Sequence, residues 1–143
     1  MGLFKKLFGK QDKIAPAGPA LSLPNGPPPE PEPLQITEVT PADLVALLKT
    51  GEPITVVDLR QVWEYGSGHI PGAVNIPLMQ LPAKSHEIPQ DRPVVMQCYH
   101  GFTSLDAAGY LILNGWDAAK VASLSGGISG WVASQGLAGL EKS

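Results

Sequence analysis

Hydrophobic and polar positions divide the chain, from about residue 34 onward, into alternating helix-like and strand-like segments. Thr40-Pro41 has the form of a helix N-cap followed by proline at the first helical position, apolar residues follow at helical spacing, and Gly51 is a stop signal. The next segment, Ile54 to Leu59, is a short run of apolar and β-branched residues. Such a run is typical of a strand that is buried on both faces of a parallel sheet.

The same alternation continues toward the C-terminus. The pattern predicts a brief strand at Ala73 to Ile76 and a second buried strand at Pro93 to Cys98. A helix from about Thr103 to Asn114, a strand near Val121 to Leu124 and a helix from about Ile128 to Gln135 follow. Strands that alternate with helices at this spacing predict a single α/β domain, with a mainly parallel central sheet flanked by helices and right-handed crossovers.

The first 34 residues do not follow this pattern. Residues 1–13 form a short basic amphipathic segment, with bulky apolar residues on one side and lysines on the other: Leu3, Phe4, Leu7 and Phe8 opposite Lys5, Lys6 and Lys10. Residues 14–34 hold eight of the fifteen prolines, which predicts a disordered, semi-rigid linker. The basic segment is interpreted either as a frayed terminus or as a site of peripheral membrane or partner contact.

Length and charge narrow the possible functions. A chain of 143 residues has room for one globular domain, which we place at residues 35–143. Positive charge is concentrated in residues 1–13, whereas residues 35–143 carry six basic and ten acidic side chains. Because that domain lacks the excess of Lys and Arg that binding to a phosphate backbone requires, we expect no nucleic acid partner.

Cysteine content and hydropathy bear on the compartment. The single Cys98 excludes an intrachain disulfide and suits a reducing environment. No apolar run has the length of a membrane span or the form of a signal peptide. We therefore expect a cytoplasmic protein, with peripheral membrane contact through residues 1–13 as the alternative.

Cys98 is the candidate nucleophile. In an open α/β sheet the functional crevice lies beyond the carboxyl ends of the strands, and Cys98 ends a predicted strand five residues before a predicted helix. Backbone N–H groups that converge around Gly101 at a helix N-terminus would stabilise an anion, and Thr103 and Ser104 add hydroxyl donors. The thiolate is the reactive form of cysteine, although a lone cysteine is more often an inert buried side chain.

Other polar residues favour structural roles. Asp58 and Arg60 at the end of the first buried strand are interpreted as an ion pair rather than as catalytic groups. Glu64 is interpreted as a charge on a helix face, and His69 as a partner in a hydrogen bond that holds a turn. The histidines and the cysteine lack the spacing of a zinc site, and the glycines at positions 126, 127 and 130 lack dinucleotide-binding spacing. We expect neither metal nor cofactor.

Four segments, in the expected order, together resemble the rhodanese domain: Asp58-Leu59-Arg60, Gly68-His69-Ile70-Pro71-Gly72-Ala73, Cys98-Tyr99-His100-Gly101 and Ser125-Gly126-Gly127-Ile128-Ser129-Gly130-Trp131. The resemblance covers about residues 35 to 137, and the cysteine segment is similar to that of small single-domain bacterial thiosulfate sulfurtransferases. It implies that Cys98 takes sulfur from a donor such as thiosulfate, holds it as a persulfide and passes it to cyanide or a thiol. It also implies a substrate site formed by Arg60 and by the loop residues Tyr99, His100, Gly101, Phe102, Thr103 and Ser104.

The loop departs from the family pattern in its charge. Many rhodaneses have an arginine or lysine there, where this chain has Phe102 and Thr103. His100 and Arg60 are left to neutralise an anionic donor, and a protein-bound persulfide or a neutral sulfane sulfur is an alternative donor. Cysteine phosphatases need an arginine six positions after the cysteine, where this chain has Ser104, so we do not expect phosphatase activity.

The first hypothesis for the function is therefore a sulfurtransferase. The second is a non-catalytic rhodanese-like adaptor that binds a partner and is tethered by its N-terminal arm.

Overall fold

The computed structural model describes residues 34–142, which contain a single five-stranded sheet. Its strands in chain order are β1 Thr37–Val39, β2 Thr55–Asp58, β3 Val74–Asn75, β4 Val94–Gln97 and β5 Val121–Leu124. The spatial order is β1-β5-β4-β2-β3, and every neighbouring pair is parallel. The predicted α/β domain with a mainly parallel sheet is therefore confirmed.

Five α-helices connect or follow these strands: α1 Pro41–Lys49, α2 Val62–Ser67, α3 Leu81–Lys84, α4 Thr103–Leu113 and α5 Gly127–Gln135. Single 3-10 turns lie at Leu78–Gln80, Ser85–Glu87, Ala118–Lys120 and Leu137–Gly139. The start of α1 follows the sequence signal, because the Thr40 hydroxyl accepts from Asp43 N–H at 3.1 Å and the Asp43 carboxylate accepts from Thr40 N–H at 3.0 Å. The three long predicted helices are confirmed to within one or two residues.

Two cores pack against opposite faces of the sheet. One includes Val57 and Met96 from the strands together with Leu111 from α4. The other includes Val56 and Val95 with residues of α1 and α5, which contact each other. Successive residues of β2 and β4 therefore enter different cores, and this explains why both strands read as continuous apolar runs.

Three short elements are present that the sequence pattern did not predict. The strand β1 has three residues, α2 has six and α3 has four, so none is long enough to show a hydrophobic period. Glu64 lies in α2 and accepts from the Gln61 N–H at 3.2 Å. Its charge, interpreted as one on a helix face, therefore caps the first turn of that helix.

The amphipathic segment at residues 1–13 and, apart from Leu34, the linker at residues 14–34 lie outside the described residues. Within residues 34–142 no helix has both the length and the apolar character that crossing a membrane requires.

Candidate active site

Cys98 lies directly after β4, at the carboxyl end of a strand in the interior of the sheet. Its side chain is buried, with a relative exposure of 5%. The next helix, α4, begins at Thr103, so residues 98–102 form a tight loop between the strand and the helix. This is the strand-loop-helix arrangement that places a functional side chain at the crevice of an open α/β sheet.

Backbone and hydroxyl groups converge on the Cys98 sulfur. The N–H of Gly101 lies 3.1 Å from Sγ and the N–H of Ser104 lies 3.3 Å from it. The Ser104 hydroxyl lies 3.4 Å from the same atom. The first turn of α4 supplies Ser104, so its N–H is one of the free donors at a helix N-terminus. The two N–H groups donate to the sulfur, and the Ser104 hydroxyl, which accepts from the thiol, can instead donate to a thiolate.

The Ser104 hydroxyl has a second partner. It lies 2.7 Å from the hydroxyl of Ser123 on β5, and both serines are fully buried. Nothing in the hydrophobic pattern singled out Ser123 as part of the site. The one available signal is that Ser123 is a polar residue in an otherwise apolar strand, Val121–Leu124.

Gly101 is required by the geometry of the loop. Its φ is +96°, in the region that favours glycine, and a Cβ there would lie 2.8 Å from the backbone N of Gly126. The close approach brings the loop against the turn that precedes α5. A side chain at position 101 would push the Gly101 N–H away from the Cys98 sulfur.

The start of α5 holds the other side of the loop. The Cys98 carbonyl accepts from Ile128 N–H at 2.9 Å, and the Tyr99 carbonyl accepts from Ser129 N–H at 3.0 Å. The Gln97 side-chain amide also donates to the Cys98 carbonyl, at 2.6 Å. The start of α5 thus fixes the backbone of the cysteine loop.

The outer side chains of the loop are exposed and carry little charge. Tyr99 is 51% exposed and Phe102 is 76% exposed. His100 is exposed, and its ring lies 4.5 Å from that of Tyr99 in an edge-on arrangement. Thr103 was expected to add a hydroxyl donor, yet among the described residues no hydrogen bond joins it to Cys98.

Asp58 and Arg60 form the ion pair expected from the sequence. The shortest contact between the guanidinium and the carboxylate is 2.8 Å, and the guanidinium also donates to the Gly68 carbonyl at 2.8 Å. Both side chains are buried. The Asn75 amide donates to the carbonyls of Asp58 and Arg60, at 3.0 Å each, and holds the turn after β2. The Arg60 charge is therefore matched within the protein.

A groove of about 330 Å³ brings several predicted site residues together beside the loop. Arg60 and Glu64 line it on one side, and Tyr99 with the first turns of α5 lines it on the other. Tyr99 is the one residue of the Cys98 loop that lines this groove, and the Cys98 sulfur with its N–H donors lies outside the lining.

His69 is buried and held on several sides by neighbouring residues. Its ring stacks on that of Tyr65 at 3.7 Å, and its nitrogens contact the Tyr65 carbonyl at 2.8 Å and the Glu141 carboxylate at 3.2 Å. Burial, together with the Asp58 and Glu141 carboxylates, raises the pKa of Tyr65.

Among residues 34–142 no group of three or more His, Cys, Asp or Glu side chains is placed to hold a metal ion.

Comparison with known proteins defines the class to which this fold and site belong. Residues 40–134 match the model of the rhodanese-like domain family, which is more than half of the chain. The chain belongs to the rhodanese-like domain family.

Named relatives give a more detailed likeness. The chain is 36% identical to a sulfurtransferase of Allochromatium vinosum over 96 residues, which cover 67% of this chain and 88% of that protein. It is 41% identical over 78 residues to the thiosulfate sulfurtransferase GlpE of Shewanella oneidensis, with 54% of this chain and 75% of that protein covered. The crystal structure of a rhodanese-like domain protein from Staphylococcus aureus is similar, with a TM-score of 0.65, 28% identity and coverage of 74% and 97%.

Proposed function

We propose that this protein is a sulfurtransferase that carries sulfane sulfur as a persulfide on Cys98. The observation that carries the proposal is the pair of backbone N–H groups, from Gly101 and Ser104, at 3.1 and 3.3 Å from the sulfur. Such donors stabilise an anionic sulfur without any titratable partner. Relatives named sulfurtransferase support the same conclusion.

The reaction follows two displacements at sulfur. The Cys98 thiolate attacks the outer sulfur of thiosulfate, the S–S bond of the donor breaks, and its electron pair leaves with sulfite. The enzyme then holds Cys98–S–S⁻. Cyanide or a thiolate attacks the outer sulfur, the new S–S bond breaks, and Cys98 leaves as a thiolate, which the Gly101 and Ser104 donors stabilise.

The charge of the loop bears on which donor the enzyme prefers. Arg60 is committed to Asp58 and the Gly68 carbonyl, and position 102 is an exposed phenylalanine. An anionic donor such as thiosulfate therefore meets backbone dipoles and the exposed His100 rather than a free guanidinium. This arrangement favours a persulfide carried on a protein or small thiol as a donor that competes with thiosulfate.

Intact-protein mass spectrometry tests the function. The full chain is incubated with thiosulfate or with a small-molecule persulfide, desalted and weighed, and then treated with cyanide. We expect the mass to rise by one sulfur and the gain to disappear with cyanide as thiocyanate forms. Protein alkylated at Cys98 beforehand is the control and should gain nothing. Absence of the gain with both donors would contradict the proposal and leave the adaptor hypothesis.

Phe102→Arg should lower the KM for thiosulfate about tenfold, because a charge-assisted hydrogen bond to an anion is worth about 1.5–3 kcal/mol. The side chain is exposed, so the substitution should cost little stability. Steady-state thiocyanate formation at varied thiosulfate concentration measures the effect.

Leu113→Arg is the matched control, since Leu113 is 77% exposed and is the last residue of α4, the helix that directly follows Phe102. It adds the same charge to the protein away from the cysteine loop. An equal fall in KM in both variants, or none in Phe102→Arg, would show that the donor anion does not lie beside position 102.

A further inference from the structure

The Ser104 hydroxyl connects Cys98 to a third side chain, that of Ser123. The Ser104 hydroxyl lies 3.4 Å from Cys98 Sγ and 2.7 Å from Ser123 Oγ, so two hydrogen bonds connect the three side chains in a row. Among residues 34–142 the Ser123 hydroxyl has Ser104 as its one hydrogen-bond partner. Both serines are fully buried, so water does not replace either link.

The strand register explains why Ser123 points toward the cysteine. Val121 packs in the same core as Met96 and Leu111, on the α4 face of the sheet. Ser123 lies two residues further along β5 and therefore faces the same side. Because β5 is the direct neighbour of β4, this side chain lies close to the first turn of α4, which contains Ser104.

The number of protons on these three side chains shows whether their hydrogen bonds favour a thiol or a thiolate at Cys98. When Cys98 is a thiolate, the two hydroxyls supply two protons for two links: Ser123 donates to Ser104, and Ser104 donates to the sulfur. When Cys98 is a thiol, three protons compete for the same two links. One buried donor is then left without an acceptor among the three side chains, which is unfavourable.

We propose that Ser123 is a positioning residue for sulfur transfer: its hydroxyl donates to Ser104 Oγ and so directs the single Ser104 proton onto the anionic Cys98 sulfur. The inference rests on the proposed function, because the thiolate is both the attacking group in the first displacement and the leaving group in the second. Ser123 acts through Ser104 and touches neither the sulfur nor a substrate.

Ser123→Ala removes this directing proton donor. We expect the ultraviolet absorbance of the Cys98 thiolate to fall at matched pH values across the neutral range, measured as the difference from Cys98→Ser. Alkylation by iodoacetamide should slow about fivefold, as expected for loss of one hydrogen bond between two neutral hydroxyl groups. The same substitution should slow sulfur transfer from the persulfide to cyanide, so kcat should fall by a similar factor while the donor KM stays the same.

A double-mutant cycle separates positioning from a general effect on structure. If Ser123 acts through Ser104, then adding Ser123→Ala to Ser104→Ala should change the alkylation rate little further. Ser123→Thr, which keeps the hydroxyl, should restore the rate toward that of the natural chain. Independent, additive effects of the two alanines would overturn the proposal, as would an unchanged thiolate absorbance in Ser123→Ala.

Thr37→Val is the matched control. Thr37 is a buried residue of β1, the strand on the other side of β5, and its hydroxyl has no hydrogen-bond partner among the described residues. Its replacement removes a buried strand hydroxyl that takes no part in the hydrogen bonds among Cys98, Ser104 and Ser123, and it should leave alkylation unchanged. Thiolate absorbance and alkylation need no sulfur donor, so they test the role of Ser123 even if the protein were to transfer no sulfur.

Discussion

Cys98→Ser should reduce sulfur transfer by at least about a thousandfold, because it removes the nucleophile on which both displacements depend. A serine hydroxyl is far less acidic than a thiol and would not form the anion that the Gly101 and Ser104 N–H groups surround. Thiocyanate formation from thiosulfate and cyanide, compared at equal protein concentration, measures the loss.

The fold of this variant should be retained. Serine is close to cysteine in size, and its oxygen can accept from the same two N–H groups, so the midpoint of thermal unfolding should change by only a few degrees. Turnover comparable to that of the natural chain, in a variant that is folded, would contradict the assignment of Cys98 as the sulfur carrier.

Gly127→Ala should lower the free energy of unfolding by about 3 kcal/mol or more. The residue has a φ of +58°, and a Cβ would lie 2.5 Å from the Cys98 carbonyl oxygen and 2.6 Å from that of Tyr99. Those atoms belong to backbone that α5 holds by hydrogen bonds, so they cannot move aside without cost. The midpoint temperature of thermal unfolding should fall by about 12 °C or more for a domain of this size.

Gly136→Ala is the control for backbone strain without steric overlap. Gly136 also has a positive φ, +73°, but no atom lies within 4 Å of the position of its Cβ. With a ψ of +172° this is a conformation that essentially only glycine adopts, so the substitution should cost about 1–3 kcal/mol through backbone strain alone. Equal losses in the two variants would mean that close contact between α5 and the cysteine loop does not stabilise the domain. Sulfur transfer should fall in Gly127→Ala and persist in Gly136→Ala.

Regular elements were predictable where their local pattern was long enough. The buried runs at β2, β4 and β5 and the helices α1, α4 and α5 were each signalled by residues adjacent in the chain, including the Thr40 cap. The short elements β1 and α2 were not predicted, because they contain too few residues for a hydrophobic period to appear. Their existence depends on pairing with β5 and on packing beside the turn after β2.

Part of the candidate site was local in the same sense. Cys98, Gly101 and Ser104 lie within seven consecutive residues, and the strand-loop-helix pattern predicted donors around the sulfur. The pairing of Asp58 with Arg60, two residues apart, was also predictable from the chain. Thr103 shows the limit of such reasoning, because its proximity in sequence did not bring its hydroxyl to the sulfur.

The sequence by itself predicted the longer strands and helices in their order, the candidate nucleophile Cys98 and the family resemblance, since each depends on residues that are adjacent in the chain. Only the tertiary structure decided that Ser123 stands behind Ser104 and that the start of α5 holds the Cys98 and Tyr99 carbonyls. Both depend on β5 lying next to β4. Hydrophobic period encodes which face of a strand is buried, but it does not encode which strand is its neighbour, because that choice is made by packing across the whole sheet.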